Sequence, residues 1–81
     1  MLSPKKNEEF RKILSKVFPS DVIPDEVHDL KMGDLNSWDS LGNFNLILEI
    51  EAQYDIRFSM DKLSGIRSIS EIAKAIDENN D

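Results

Sequence analysis

Apolar residues recur along this chain at helical spacings, interrupted once by a long irregular stretch. Phe10, Ile13, Leu14, Val17 and Phe18 trace one helical face. Ahead of them, Ser3 supplies a cap and Pro4 a first helical residue whose missing N–H has no intrahelical role. Pro19 cannot continue a helix and disfavours a helical Phe18, so the first helix is expected to stop there. From Pro19 to Asp39 run about twenty residues with Pro24, Gly33 and several Asp, a long connection for a compact domain. Val22, Ile23, Val27, Leu30, Met32 and Leu35 offer a way to order it, by burying their side chains across the helices, with room for one short helical turn.

The strongest periodic segment runs from Ser40 to Tyr54, and its apolar residues cover more than one face. Leu46, Ile47, Ile50 and Tyr54 cluster on one side; Leu41, Phe44 and Leu48 cluster in a direction roughly 140° away. The first stripe suits a core. The second either packs under the long loop as a further core face or meets a partner protein.

Tyr54-Asp55-Ile56-Arg57-Phe58 alternates like a strand, but with no second strand to pair it reads as an extended connector. Ser59 caps a single expected turn through Leu63, closed by Ser64-Gly65. Ser68-Ile69-Ser70-Glu71 is a capping box in which Ser68 and Glu71 satisfy each other's backbone donors, worth about 1 kcal/mol. Ile69, Ile72, Ala73 and Ile76 follow as the buried stripe of the last helix. The expected fold is all-α: three main helices, one short helix, and a long loop between the first and second.

Composition narrows the function. With 81 residues the chain has room for one modest core and little for an enzyme's cleft, so residues 1–81 read as a single domain. It carries no cysteine, hence no disulfide and no thiolate metal site, which fits a reducing compartment. No apolar run approaches the ~18–20 residues that span a bilayer, and the first residues lack a signal-peptide stretch, so a cytoplasmic location is expected. A net charge of −6 repels nucleic acid and anionic membranes and favours basic protein partners. Nothing resembles a coiled-coil seam, so a monomer is expected.

Trp38-Asp39-Ser40-Leu41, followed by Asn43-Phe44-Asn45-Leu46-Ile47-Leu48-Glu49-Ile50-Glu51, resembles the Asp-Ser-Leu signature of acyl carrier proteins. The triplet alone is common. Its context agrees with the family in four ways: it lies near mid-chain, follows a long loop, opens a helix, and leads to a Tyr54-Asp55-Ile56 exit.

The resemblance covers nearly the whole chain and implies an acyl-carrier-like four-helix bundle that catalyses nothing itself. Ser40 would carry 4′-phosphopantetheine, taken from coenzyme A by a phosphopantetheinyl transferase, with Asp39 and Leu41 flanking the attachment point. The arm's thiol would hold an acyl or aminoacyl group as a thioester, as in fatty acid, polyketide or nonribosomal peptide biosynthesis. A helix N-terminus, with unpaired N–H groups and about half a positive charge, is where a phosphodiester is tolerated. Leu41, Phe44, Leu48 and Glu51 would be the docking face for a loading ligase or synthase. Gly42 and Asn45 stand where many members have Asp or Glu, which points away from general fatty-acid partners and towards a dedicated pathway.

Other readings of these residues remain open at this stage. Ser40 either carries the arm or caps the helix without any chemistry, and Asp39 is the other candidate for the cap. Gly42 either leaves Ser40 accessible or sits in a frayed first turn. Trp38 either buries the loop or touches the arm. The competing function is an unmodified helical interaction module that docks through Leu41, Phe44 and Leu48. A hydrolase using Ser40 and His28 lacks any sequence reason to bring the two together. Asp34, Asn36 and Trp38 begin like a calcium loop but break its pattern at Trp38.

Overall fold

The local signals become four helices in a computed structural model that describes residues 2–79: α1 (Pro4–Val17), α2 (Ser40–Tyr54), α3 (Met60–Leu63) and α4 (Ile69–Asn79). The architecture is the all-α bundle expected, with three main helices, a single-turn α3 and the long loop between α1 and α2. Ser3 caps α1 by accepting from Lys6 N–H at 3.2 Å, and Pro4 is the first helical residue. Phe18 closes α1 just before Pro19. Ser59 caps α3 by accepting from Lys62 N–H.

One core joins the helices. Phe10, Ile13 and Leu14 of α1 meet Leu46, Ile47 and Ile50 of α2, and Ile69, Ile72 and Ile76 of α4 complete it. Tyr54 is half-buried at the end of α2, with its ring 6.2 Å from Phe10, its hydroxyl donating to Glu9 at 2.7 Å, and Lys6 lying 4.3 Å from the ring centre. Asp55 then closes α2 in the left-handed conformation, φ 53°.

The long loop contains no helical turn and is held at three places instead. Asn7 clamps its first part to α1, donating to the Asp25 carbonyl at 2.7 Å and accepting from Val27 N–H at 3.0 Å. Its middle runs beside the start of α4 through Met32 N–H to Arg67 carbonyl and Ile69 N–H to Leu30 carbonyl, with an isolated antiparallel bridge between Lys31 and Ser68. Its last part is anchored by Leu35 and by Trp38, which has no exposed surface.

Three expectations are corrected. Val22 does not help pin the loop; it is 89% exposed, because the bonds of Asn7 and the burial of Val27 already fasten this stretch. On α4 the buried alanine is Ala75, while Ala73 is half-buried, since Ala75 lies three residues after Ile72 on the inward face. In the capping box, Ser68 Oγ accepts from Glu71 N–H, but the Glu71 carboxylate takes the Arg67 N–H and the Ser68 hydroxyl instead of the Ser68 N–H.

Candidate functional site

The start of α2 is built from the loop upward. Gly33, at φ +101°, turns the loop and donates its N–H to the Trp38 carbonyl at 2.9 Å, while Trp38 N–H donates to Leu35. Asp21 reaches across to accept from Ser37 N–H at 3.0 Å. The Trp38 ring stacks on Phe18, centroids 6.0 Å apart and planes 27° apart, which ties the end of α1 to the residue preceding Asp39. Trp38 thus buries the loop against the end of α1.

Asp39 is the N-cap. Its Oδ1 accepts from Gly42 N–H at 2.8 Å and its carbonyl accepts from Asn43 N–H at 2.7 Å. Ser40 is therefore the first residue inside the helix and is not the cap, and its side chain is exposed. The Ser40 and Leu41 N–H groups have no acceptor among the described residues, so the donors that would face a phosphate on Ser40 Oγ are in place. The first turn of α2 holds no acidic residue, and the carboxylate of the preceding Asp39 is engaged by the Gly42 N–H.

Gly42 is neither frayed nor a spacer for Ser40. It is buried, and a Cβ there would overlap the Ser37 carbonyl oxygen and lie 3.0 Å from Phe18 Cε1. Only glycine lets the loop backbone lie this close to α2.

Outward from Ser40, Leu41, Phe44 and Leu48 are 69%, 52% and 47% exposed, so the loop does not cover this stripe and it is no second core face. Glu51 is half-buried and accepts from Phe58 N–H at 2.8 Å, which fastens the connector after α2. Glu49 pairs with Lys16 at 3.1 Å and accepts from Gln53 at 2.9 Å; those bonds, Gln53's first, hold its carboxyl below the usual range. Both acids of the helix are thus engaged internally, and its free face is mainly apolar.

Beside Ser40 an open groove of about 260 Å³ runs between α2 and α3, lined among others by Ser40, Asn43, Phe44, Ile47, Leu63 and Arg67. His28 is not part of it and lies near Asp29, Nε2 3.9 Å from its carboxylate. Among the described residues no group of His, Cys, Asp and Glu is arranged to hold a metal, and no helix is long and apolar enough to cross a membrane.

The sequence reading missed Asn43. It is 8% exposed, accepts from Trp38 Nε1 at 2.9 Å and donates to the Ile66 carbonyl at 2.9 Å. The signal was present in its spacing, three and four residues before Leu46 and Ile47 on the inward stripe.

Among solved structures the chain is similar to the solution NMR structure of a holo acyl carrier protein from Geobacter metallireducens. The two share 27% sequence identity over 90% of this chain and 83% of that one, with a TM-score of 0.75. No family model matches the sequence, and no curated protein does.

Proposed function

We propose that this chain, which belongs to the acyl carrier protein family, carries an acyl or aminoacyl group as a thioester on a 4′-phosphopantetheine arm attached to Ser40. One observation carries the assignment: Ser40 is an exposed hydroxyl on the first residue of a 15-residue helix, and its neighbour Asp39 relieves it of capping. The hydroxyl is consequently available for a phosphodiester link, and no hydrogen bond among the described residues depends on it.

The arm supplies the reactive thiol; the protein supplies placement. Asp39 fixes the first turn, Trp38 and Gly42 lock the loop to α2, and the Ser40 and Leu41 N–H groups, which have no acceptor among the described residues, would be donors for a phosphate on Ser40. Leu41, Phe44 and Leu48 form the face on which a phosphopantetheinyl transferase and a loading ligase or synthase would dock. Because Glu49 and Glu51 are engaged internally, docking would rest on apolar contact more than on acidic pairing. That favours partners of a dedicated biosynthetic pathway. Residues 1–81 act as one carrier domain, monomeric and cytoplasmic, in this reading.

Intact-mass spectrometry after incubation with coenzyme A and a broad-specificity phosphopantetheinyl transferase tests it. The wild type should gain one phosphopantetheine group and Ser40→Ala none. Persistent absence of any gain across several transferases would favour the exposed stripe as the binding face of an unmodified interaction module, the reading that its exposure also allows.

A further inference from the structure

Asn43 is the one buried polar side chain among the described residues, and it stands three residues after Ser40. Its amide joins three segments: the loop through Trp38 Nε1, α2 through its own backbone, and the α3–α4 connection through the Ile66 carbonyl, each bond 2.9 Å. Of the residues that line the groove beside Ser40, only Asn43 and Ile47 are buried, so they form its floor. Beyond that floor Leu46, Ile50, Ile69 and Ile72 have no exposed surface.

A chain passing from the groove into the core at Asn43, the floor residue nearer Ser40 in sequence, parts it from Ile66 or from Trp38. That leaves a buried N–H or C=O without a partner, and an alkyl tail offers neither donor nor acceptor in exchange. Arg67, the charged residue lining the groove, has no salt bridge among the described residues and offers donors to a polar group there.

We propose that the Trp38–Asn43–Ile66 bridge closes the bundle to the cargo, so that the group carried is short or polar and stays in the groove, outside the core. The inference rests on the carrier reading of Ser40, and its test does not.

Because the chain has no cysteine, Ser40→Cys creates a unique thiol. Conjugates made with methyl, hexyl and decyl methanethiosulfonate place alkyl tails of rising length at this position without a transferase. The bridge-intact conjugates should melt within about 2 °C of one another, and the indole N–H resonance of Trp38, the only tryptophan, should not move. A midpoint that rises by more than about 8 °C from methyl to decyl, together with a displaced indole resonance, would overturn the proposal. With the indole resonance unmoved, the same rise supports the proposal if Leu41→Ser with Leu48→Ser on the outer stripe abolishes it, and overturns it if the rise survives that pair, since the tail has then entered past Ile47. Trp38→Phe with Asn43→Ala in the same background should restore a rise with tail length; should that variant not fold, the bridge-intact series still decides. Transferase loading of Ser40, scored separately by mass, judges the carrier reading alone.

Discussion

Replacing Gly42 by alanine asks whether helix propensity or packing against the loop sets the start of α2. Propensity favours the change, since alanine is better than glycine in a helix by up to about 1 kcal/mol. Packing reverses the sign. The added methyl would overlap the Ser37 carbonyl oxygen and stand 3.2 Å from the carbon behind it and 3.0 Å from Phe18 Cε1. Phe18 is 2% exposed and stacked on Trp38, so its ring has little room to yield. Ser37 is held by Asp21 at 3.0 Å and precedes Trp38, the largest fully buried side chain, so moving its backbone disturbs both contacts. Overpacking of this kind costs about 1–3 kcal/mol. With both neighbours held in place the upper part of that range applies, about 2–3 kcal/mol, so after the propensity gain the net loss is about 1–2 kcal/mol, a fall in melting temperature of roughly 4–15 °C for a domain of this size. Thermal and urea melts followed by circular dichroism measure it, with an unchanged denaturant slope confirming that the same transition is compared. A midpoint equal to or above that of the wild type would refute the reasoning and show that the loop gives way at no cost.

The other expectations concern the cap, the two faces of α2 and pH. Asp39→Ala should lose about 1 kcal/mol in a urea melt, whereas Ser40→Ala should stay within about 0.5 kcal/mol of wild type, because only Asp39 makes the capping bond. Ile50→Ala should cost about 2–5 kcal/mol at a site with no exposure; Leu48→Glu, at 47% exposure, should leave the melt nearly unchanged while weakening transferase binding in a pull-down or by calorimetry. The Tyr54 hydrogen bond, followed by Lys6 and Lys5, holds the Glu9 carboxyl below its ordinary 4.5 against a smaller opposing effect of burial. A lowered carboxyl stabilises the fold above its unfolded value and loses that contribution as pH falls through the folded one. Tyr54→Phe should therefore destabilise at about pH 7 and differ little from wild type at about pH 3, as pH-dependent melts would show.

Most of the helical framework was legible because its causes are local. Ser3-Pro4, Pro19, Ser59 and Ser68 to Glu71 act within a turn of chain, and the inward stripes of α1 and α2 repeat at the helical period. Ser40 was legible by its neighbours in sequence, as the serine that opens a helix after a long loop. That local information left the two stripes of α2 ambiguous, since period alone does not say which apolar face is covered.

Tertiary structure decided what depends on residues far apart. The loop leaves Leu41, Phe44 and Leu48 bare because its own fastenings lie elsewhere: Asn7 on Asp25 and Val27, Leu30 and Met32 beside Arg67 and Ile69. The cap went to Asp39, because its carboxylate reaches the Gly42 N–H; Ser40 was thereby left free. Gly42 owes its place to the backbone of Ser37, and Asn43 owes its burial to Trp38 and to Ile66, 23 residues away. Sequence alone determined where the helices start and stop and which serine stands at the head of α2, since those are set by interactions within a turn. Only the folded chain decided what that serine's surroundings are, because close approach and buried hydrogen bonding exist only once distant segments meet.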